Sequence, residues 1–256
     1  MSFAPLYKFM GERDRNFARS CTPVLREDIA ACEQGLGITL PGAYVELLVA
    51  MGAGSGRYHP FGMDQDHNFY GLLAHLDAAL YPTGRYFRIA LQVDDSVDEI
   101  QEPYLDLERA TGDETPLVTI YQGGPFVPEQ VHELHQTLAE ALTLNAFNAF
   151  ALMDRAHVIR LSNCADSPRQ APALRDAAVA RLQVLGLAVA LPPLARVVCL
   201  EGGDVVALVK LHGDQGTVLA VNIAGRDANT VKASAEAFAA GVPGTTQRRG
   251  VRMPLG

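Results

Sequence analysis

Apolar residues recur at helical spacing near the N-terminus. Leu25, Ile29, Cys32 and Leu36 are separated by four, three and four residues, which predicts an amphipathic helix that begins at Thr22-Pro23. Because this helix is apolar on one side only, it must pack against another element.

A second helix is predicted to begin at Pro41 and to end at Gly52. Tyr44, Leu47 and Leu48 share its apolar side. Pro41 suits a helix start, because its missing N–H has no partner in the first turn of a helix.

Four strands are predicted to follow, at Asn68–Leu73, Tyr86–Val93, Tyr104–Leu107 and Leu117–Gln122. The last of them is rich in β-branched residues and is bounded by proline and glycine. A long helix is predicted from Pro128 to beyond Phe150. Helices, then a meander of strands, then a closing helix are typical of an α+β fold with an antiparallel sheet.

The pattern restarts near residue 155, so we predict two domains, 1–155 and 156–256. The second is a smaller β-α-β-β-β-α unit of unknown role. Its predicted strands are His157–Leu161, Arg196–Leu200, Val205–Leu211 and Thr217–Asn222. A helix through Leu174 and Leu182 follows the first strand, and a last helix is capped near Asp227 or Asn229. The tail after Gly241 is expected to be loose.

Composition is that of an ordinary folded protein, with 48% hydrophobic and 20% charged residues among 256. No apolar run is long enough for a membrane helix, and the N-terminus lacks the apolar core of a secretory signal, so we expect a cytoplasmic protein. The four cysteines are far apart and form no CxxC pair, which argues against a zinc knuckle or a redox motif.

Charge is distributed unevenly between the predicted domains. Residues 1–155 hold 22 acidic and 10 basic residues, a balance of −12, whereas residues 156–256 hold 7 and 11, a balance of +4. The first domain should therefore attract basic surfaces and repel nucleic acid.

The stretch from Asp28 to Gly62, DIAACEQGLGITLPGAYVELLVAMGAGSGRYHPFG, resembles the opening of SUKH domains, the superfamily that includes Smi/Knr-like and Syd-related immunity proteins. The residues that match its helix–turn–helix phrase are Leu36, Gly37, Leu40, Pro41, Tyr44, Leu47, Leu48 and Gly52. Later elements of the family have looser counterparts in Tyr104-Leu105-Asp106, in Pro116-Leu117-Val118 and in the helix from Glu129. Met51-Gly52-Ala53 stands where the family often has Asn-Gly-Gly.

This resemblance covers about half of the chain and implies a SUKH-like antiparallel sheet flanked by helices. It also implies a binding role, because family members largely neutralise polymorphic toxins by direct contact, without a cofactor. Since their toxins are diverse, the residues that contact the toxin are not part of the motif.

Local motifs for chemistry are weak. His132 and His135 are three residues apart, whereas the helical zinc motif needs four, so a solvated helix flank is the better interpretation. The segment that starts at Asp64 opens like a calcium loop but lacks the glycine and glutamate that such a loop requires. We therefore predict no catalytic residue, no cofactor site and no metal site, although a site assembled from distant residues would leave no local motif.

An acidic run offers a partner-binding site. Nine acids and one base, Arg109, lie between Asp94 and Glu114. Acidic side chains on an inhibitor speed its association with a basic toxin, and tyrosine is enriched among residues that dominate binding energy. The predicted partner-binding residues are Asp94, Asp95, Asp98, Glu99, Glu102, Tyr58, Tyr70 and Tyr104. The alternative is a solvated loop without a partner.

We expect an immunity or antitoxin protein that is not an enzyme and that binds a cognate basic toxin, with neither nucleic acid nor a membrane as partner. A regulatory or scaffolding adaptor is the second hypothesis, and an enzyme with a site between the two domains is the third.

Overall fold

The computed structural model describes residues 3–62, 64–75, 84–93, 101–111, 114–121, 128–213 and 215–248. The chain divides into two compact units, Met1–Ala146 and Phe147–Gly256. The boundary between them precedes the one that the sequence predicts at residue 155. Both are built from antiparallel sheets with flanking helices, as expected for an α+β protein. None of the helices in the described ranges combines the length and apolarity needed to cross a bilayer.

The described residues of the first unit include six α-helices. They are α1 (Ala4–Arg13), α2 (Phe17–Ser20), α3 (Arg26–Leu36), α4 (Gly42–Met51), α5 (Phe69–Ala74) and α6 (Leu138–Phe147), the last of which ends one residue into the second unit.

The main sheet of this unit has four antiparallel strands in the spatial order β4 (Tyr86–Arg88), β6 (Gln101–Asp106), β7 (Pro116–Tyr121) and β8 (Val131–Thr137). Two short ladders accompany it, β1 (Cys21–Thr22) with β2 (Gly54–Ser55), and β3 (Gln65–Asp66) with β5 (Leu91–Gln92). The predicted strand Tyr86–Val93 is therefore split between β4 and β5, while those at Tyr104–Leu107 and Leu117–Gln122 correspond to β6 and β7.

Both predicted N-terminal helices are present, but the predicted start of the first at Thr22-Pro23 is wrong: α3 begins at Arg26, because Cys21–Thr22 pairs as a strand with β2. Gly37 ends α3 in the left-handed conformation, with φ of 66°, and Pro41 precedes α4 as its N-cap. The buried side of α4 includes Tyr44, whose ring meets Phe87 of β4 edge to face at 5.9 Å between centroids. The helix is thus packed against the sheet, as its one-sided apolar pattern requires.

The predicted strand at Asn68–Leu73 is wrong, because this segment forms helix α5. The side chain of Asn68 caps the helix by accepting a hydrogen bond from the Gly71 amide at 3.1 Å. Asparagine is favoured at this position because its side-chain oxygen accepts from an amide of the first turn that has no acceptor within the helix.

The predicted helix from Pro128 is wrong in its first half. Pro128–Gln130 forms a 3₁₀ turn, β8 pairs with β7, and only then does α6 begin. Thr137 and Glu140 form a capping box at this start: the Thr137 amide donates to Glu140 Oε2 at 3.1 Å, and the Glu140 amide donates to Thr137 Oγ1 at 3.3 Å. His132 and His135 therefore lie on a strand, not on a helix.

In the second unit, six antiparallel strands form one sheet in the order β10 (Ala188–Val189), β11 (Val197–Gly202), β12 (Val205–His212), β13 (Val218–Gly225), β9 (His157–Cys164) and β14 (Thr246–Arg248). A π-helical turn, Asn148–Leu152, precedes the sheet, and helices α7 (Ala171–Val184) and α8 (Ala228–Gly241) pack on one of its faces. Their shared core includes Leu182, Phe238, Val209 and Val221.

The predicted strands and helices of this unit are confirmed in kind, with shifted ends. Asp227 is the N-cap of α8 and accepts a hydrogen bond from the Thr230 amide at 2.8 Å. The expectation of a loose tail is wrong for Thr246–Arg248, because β14 pairs with β9 and extends the sheet.

Candidate partner-binding surface

Two of the three tyrosines predicted to contact a partner are core residues. Tyr58 is 0% exposed, and its hydroxyl donates to the Leu142 carbonyl at 2.8 Å. Burial raises the pKa of Tyr58 well above the ordinary value. Tyr104 is also 0% exposed, and its hydroxyl donates to Glu102 Oε2 at 3.3 Å. Neither side chain can meet a partner in the folded protein, so these two assignments are corrected.

Glu102 is likewise corrected, because it is 4% exposed and forms an ion pair inside the sheet. Arg88 Nη1 on the neighbouring strand donates to Glu102 Oε2 at 2.9 Å. Asp106, from the same acidic run, is also buried, and Arg85 holds both of its carboxylate oxygens at 3.1 and 3.3 Å. These acids stabilise the pairing of β4 with β6. The other predicted acids, Asp94, Asp95, Asp98 and Glu99, lie outside the described residues.

Tyr70 is the predicted contact residue that the structure places at the surface. It lies in the first turn of α5 and is 43% exposed. Its hydroxyl donates to Asp28 Oδ2 at 2.7 Å and also interacts with the backbone of Leu25. The hydrogen bond to Asp28 raises the pKa of Tyr70 above its ordinary value. The ring is therefore held in one orientation while it remains open to solvent.

Leu25 stands beside Tyr70 and is 55% exposed, although its spacing suggests the buried side of α3. The helix begins one residue later, and Leu25 has an extended backbone with φ of −70° and ψ of 141°. The preceding residue, Val24, is buried, and its amide donates to the Leu48 carbonyl at 2.9 Å. Since successive side chains of an extended chain alternate in direction, Leu25 faces outward.

Glu27 and Asp28 occupy the first turn of α3, where acidic groups complement the positive end of the helix dipole. With Leu25 and Tyr70 they form what we name the α3–α5 surface, and exposed Arg26 offsets part of its negative charge. Sequence reasoning missed Leu25 and Asp28 as contact candidates. The sequence signal for their position was the acidic pair Glu27 and Asp28, because this pair lies in the first turn of α3 only if the helix starts near residue 25.

Three backbone carbonyls at the end of α4 hold the segment that leads into α5. The His67 ring hydrogen-bonds the Met51 carbonyl, Asn68 Nδ2 donates to the Ala53 carbonyl at 3.0 Å, and the Phe69 amide donates to the Gly52 carbonyl at 2.9 Å. We name these three interactions the α4–α5 tether. They satisfy carbonyls that a helix end otherwise leaves without partners, and they fix Tyr70 at its position.

Among the described residues, no group of three or more His, Cys, Asp or Glu side chains is placed to hold a metal ion. His132 is exposed on strand β8. Comparison of the chain with protein-family models, with curated proteins and with solved structures gave no match.

Proposed function

We propose that this protein is an immunity-type protein that neutralises a toxin by binding it directly through the α3–α5 surface. The observation that carries the proposal is the exposed Tyr70 ring, fixed by Asp28 and adjacent to exposed Leu25. Tyrosine is among the residues that most often dominate the binding energy of an interface, and Leu25 adds exposed apolar area beside it.

The residues that resemble the SUKH phrase support the proposal, because they behave as a packing device. Tyr44, Leu47 and Leu48 are all at most 3% exposed. A Cβ atom on Gly52 would lie 2.7 Å from Leu48 Cα, so this position needs glycine. Such a phrase preserves the fold and leaves the adjoining surface free to vary, as a family with diverse toxin partners requires.

Charge supports a basic partner. The balance of −12 over residues 1–155 produces a negative field that draws a positively charged domain toward this part of the chain. Binding a standard-sized interface of about 1,600 Å² would occlude a toxin's active site without any cofactor. We place this activity in the cytoplasm, where a toxin acts on its own producer or on neighbouring cells.

The proposal predicts that a cognate toxin domain is encoded beside this chain, and co-expression with that domain tests it. Cells that carry the wild-type protein should grow, whereas the Leu25→Ala/Tyr70→Ala variant should protect them less at an equal protein level. Val184→Ala is the matched control, since Val184 is 76% exposed but lies in the second unit. Equal protection by the double variant and the wild type would exclude the α3–α5 surface, and no protection by any of them would exclude the immunity function.

A further inference from the structure

His67 lies three residues before Tyr70 in the segment that leads into α5, and it is 9% exposed. Its ring packs edge to face against Phe61, with 6.4 Å between centroids. In the part of the chain that the structure describes, Nε2 has no protein hydrogen-bond partner. Since the ring hydrogen-bonds the Met51 carbonyl, the donor is Nδ1, and Nε2 is the nitrogen without a proton.

Among the described residues, no protein group is placed to accept a second proton from this ring. Protonation occurs at Nε2 and places a charged N–H in a buried site, where an unsatisfied donor carries a large desolvation cost. The ring can escape that cost only by leaving its site, and it then gives up the bond to the Met51 carbonyl.

The α4–α5 tether connects protonation of His67 to the position of Tyr70. His67, Asn68 and Phe69 are consecutive, and each interacts with one carbonyl of Met51, Ala53 or Gly52. Asn68 is also the N-cap of α5, which has six residues and therefore little stability of its own. We propose that protonation of His67 releases α5 and Tyr70 from α4, so that the protein carries an acid-sensitive switch that acts on Tyr70 of its α3–α5 surface.

The charged groups around His67 shift its pKa in opposite directions. Burial is the largest effect and lowers the pKa of His67 below the ordinary value of 6.5; Asp66 opposes this shift, and His59 adds to it. The released form therefore binds a proton more readily than the tethered form. Acidification below pH 6.5 favours release, by up to about tenfold for each pH unit.

Hydrogen exchange tests the switch without any partner. Exchange rates of the α5 amides, corrected for their intrinsic pH dependence, are compared at pH 7.5 and 5.5, with α7 as the internal reference. His67→Asn places an amide nitrogen near the position of Nδ1 and cannot be protonated. His157→Asn, at an exposed position on β9, is the matched control.

We expect exchange in α5 of the wild type and of His157→Asn to accelerate by up to about tenfold at pH 5.5, and exchange in His67→Asn to stay constant. A constant rate in the wild type, or the same acceleration in His67→Asn, would overturn the switch. If His67→Asn does not fold, the wild type alone decides: α5 exchange that accelerates over the pH range in which NMR shows His67 to titrate supports the switch, and α5 exchange that stays constant while His67 titrates overturns it. Only the link to toxin binding depends on the proposed function, so failure of the switch leaves that function untouched.

Discussion

The hydroxyl of Tyr70 donates a hydrogen bond to Asp28 Oδ2 at 2.7 Å, joining α5 to α3 across 42 residues of sequence. This bond holds a solvent-exposed aromatic ring in one orientation before any partner arrives. Immobilising such a side chain on binding costs about 0.5–1.5 kcal/mol, and a ring that is already fixed avoids much of that cost.

Reversing the charge of Glu27 should slow association with a basic toxin domain. Glu27→Lys removes part of the attraction that guides the encounter, so we expect a several-fold lower association rate constant at low salt and a smaller difference at high salt. Stopped-flow or surface-based kinetics at two ionic strengths measures the association rate constant and its dependence on salt. Glu236→Lys, an equal charge change on α8 of the second unit, should leave the rate close to that of the wild type. An equal loss in both variants would assign the effect to net charge alone.

Replacing Gly52 should destabilise the first unit. A Cβ atom there meets Leu48 Cα and Cδ2 at 2.7 Å, so Gly52→Ala should lower the free energy of unfolding by about 1–3 kcal/mol. Gly35→Ala is the matched control, because a Cβ atom on this glycine inside α3 meets nothing within 4 Å and should stabilise the helix by up to about 1 kcal/mol. Equal unfolding midpoints would contradict this geometry.

Tyrosine fluorescence is the suitable signal for such measurements. The chain has no tryptophan, and its eight tyrosines all precede residue 146, so the signal reports on the first unit alone.

Removing one partner of the buried ion pair should cost more than removing one partner of an exposed pair. Arg88 and Glu102 side chains are 6% and 5% exposed, so Glu102→Gln leaves a buried guanidinium without its counter-charge. We expect a loss of about 3 kcal/mol in urea unfolding. Glu236→Gln, which breaks the exposed pair with Lys232 at 3.8 Å, should leave the midpoint unchanged. A loss below about 1 kcal/mol for Glu102→Gln would show that water reaches the pair.

Thiol reactivity tests the sheet of the second unit. Cys199 on β11 is 1% exposed, and burial raises its pKa, so the reactive thiolate is scarce. Cys164, at the end of β9, is exposed. Iodoacetamide at pH 8 should therefore modify Cys164 first and Cys199 only after unfolding, as followed by mass spectrometry of peptides. Comparable rates at the two sites would contradict the position of β11 within the sheet.

The elements that the sequence predicts well are those in which the spacing of apolar residues and the residues that start and end the element indicate the same structure. Tyr44, Leu47 and Leu48 follow helical spacing between Pro41 and Gly52, and α4 has those bounds within one residue. Strands β11 and β12 are predicted equally well. Both of their faces are buried along most of their length, so their residues are almost continuously apolar.

The failures occur where a local side-chain bond or a distant strand decides the structure. Residues 131–137 have a pattern compatible with a helix, but pairing with β7 makes them a strand. The capping signals at Asn68 and at Thr137 with Glu140 were present in the sequence and were overlooked. Tyr58 and Tyr104 could not be separated from Tyr70 by sequence, because tyrosine occurs both in cores and at interfaces and only tertiary packing decides which.

The dissociation constant for a candidate toxin domain, which the proposed function predicts to be encoded beside this chain, is the most direct measurement of the central claim. Calorimetry should show one toxin domain bound per chain with a nanomolar Kd, weakened about 30-fold or more by Tyr70→Ala and unchanged by Val184→Ala. A wild-type protein that does not bind this domain, or a Tyr70→Ala variant that binds as tightly as the wild type, would contradict the account.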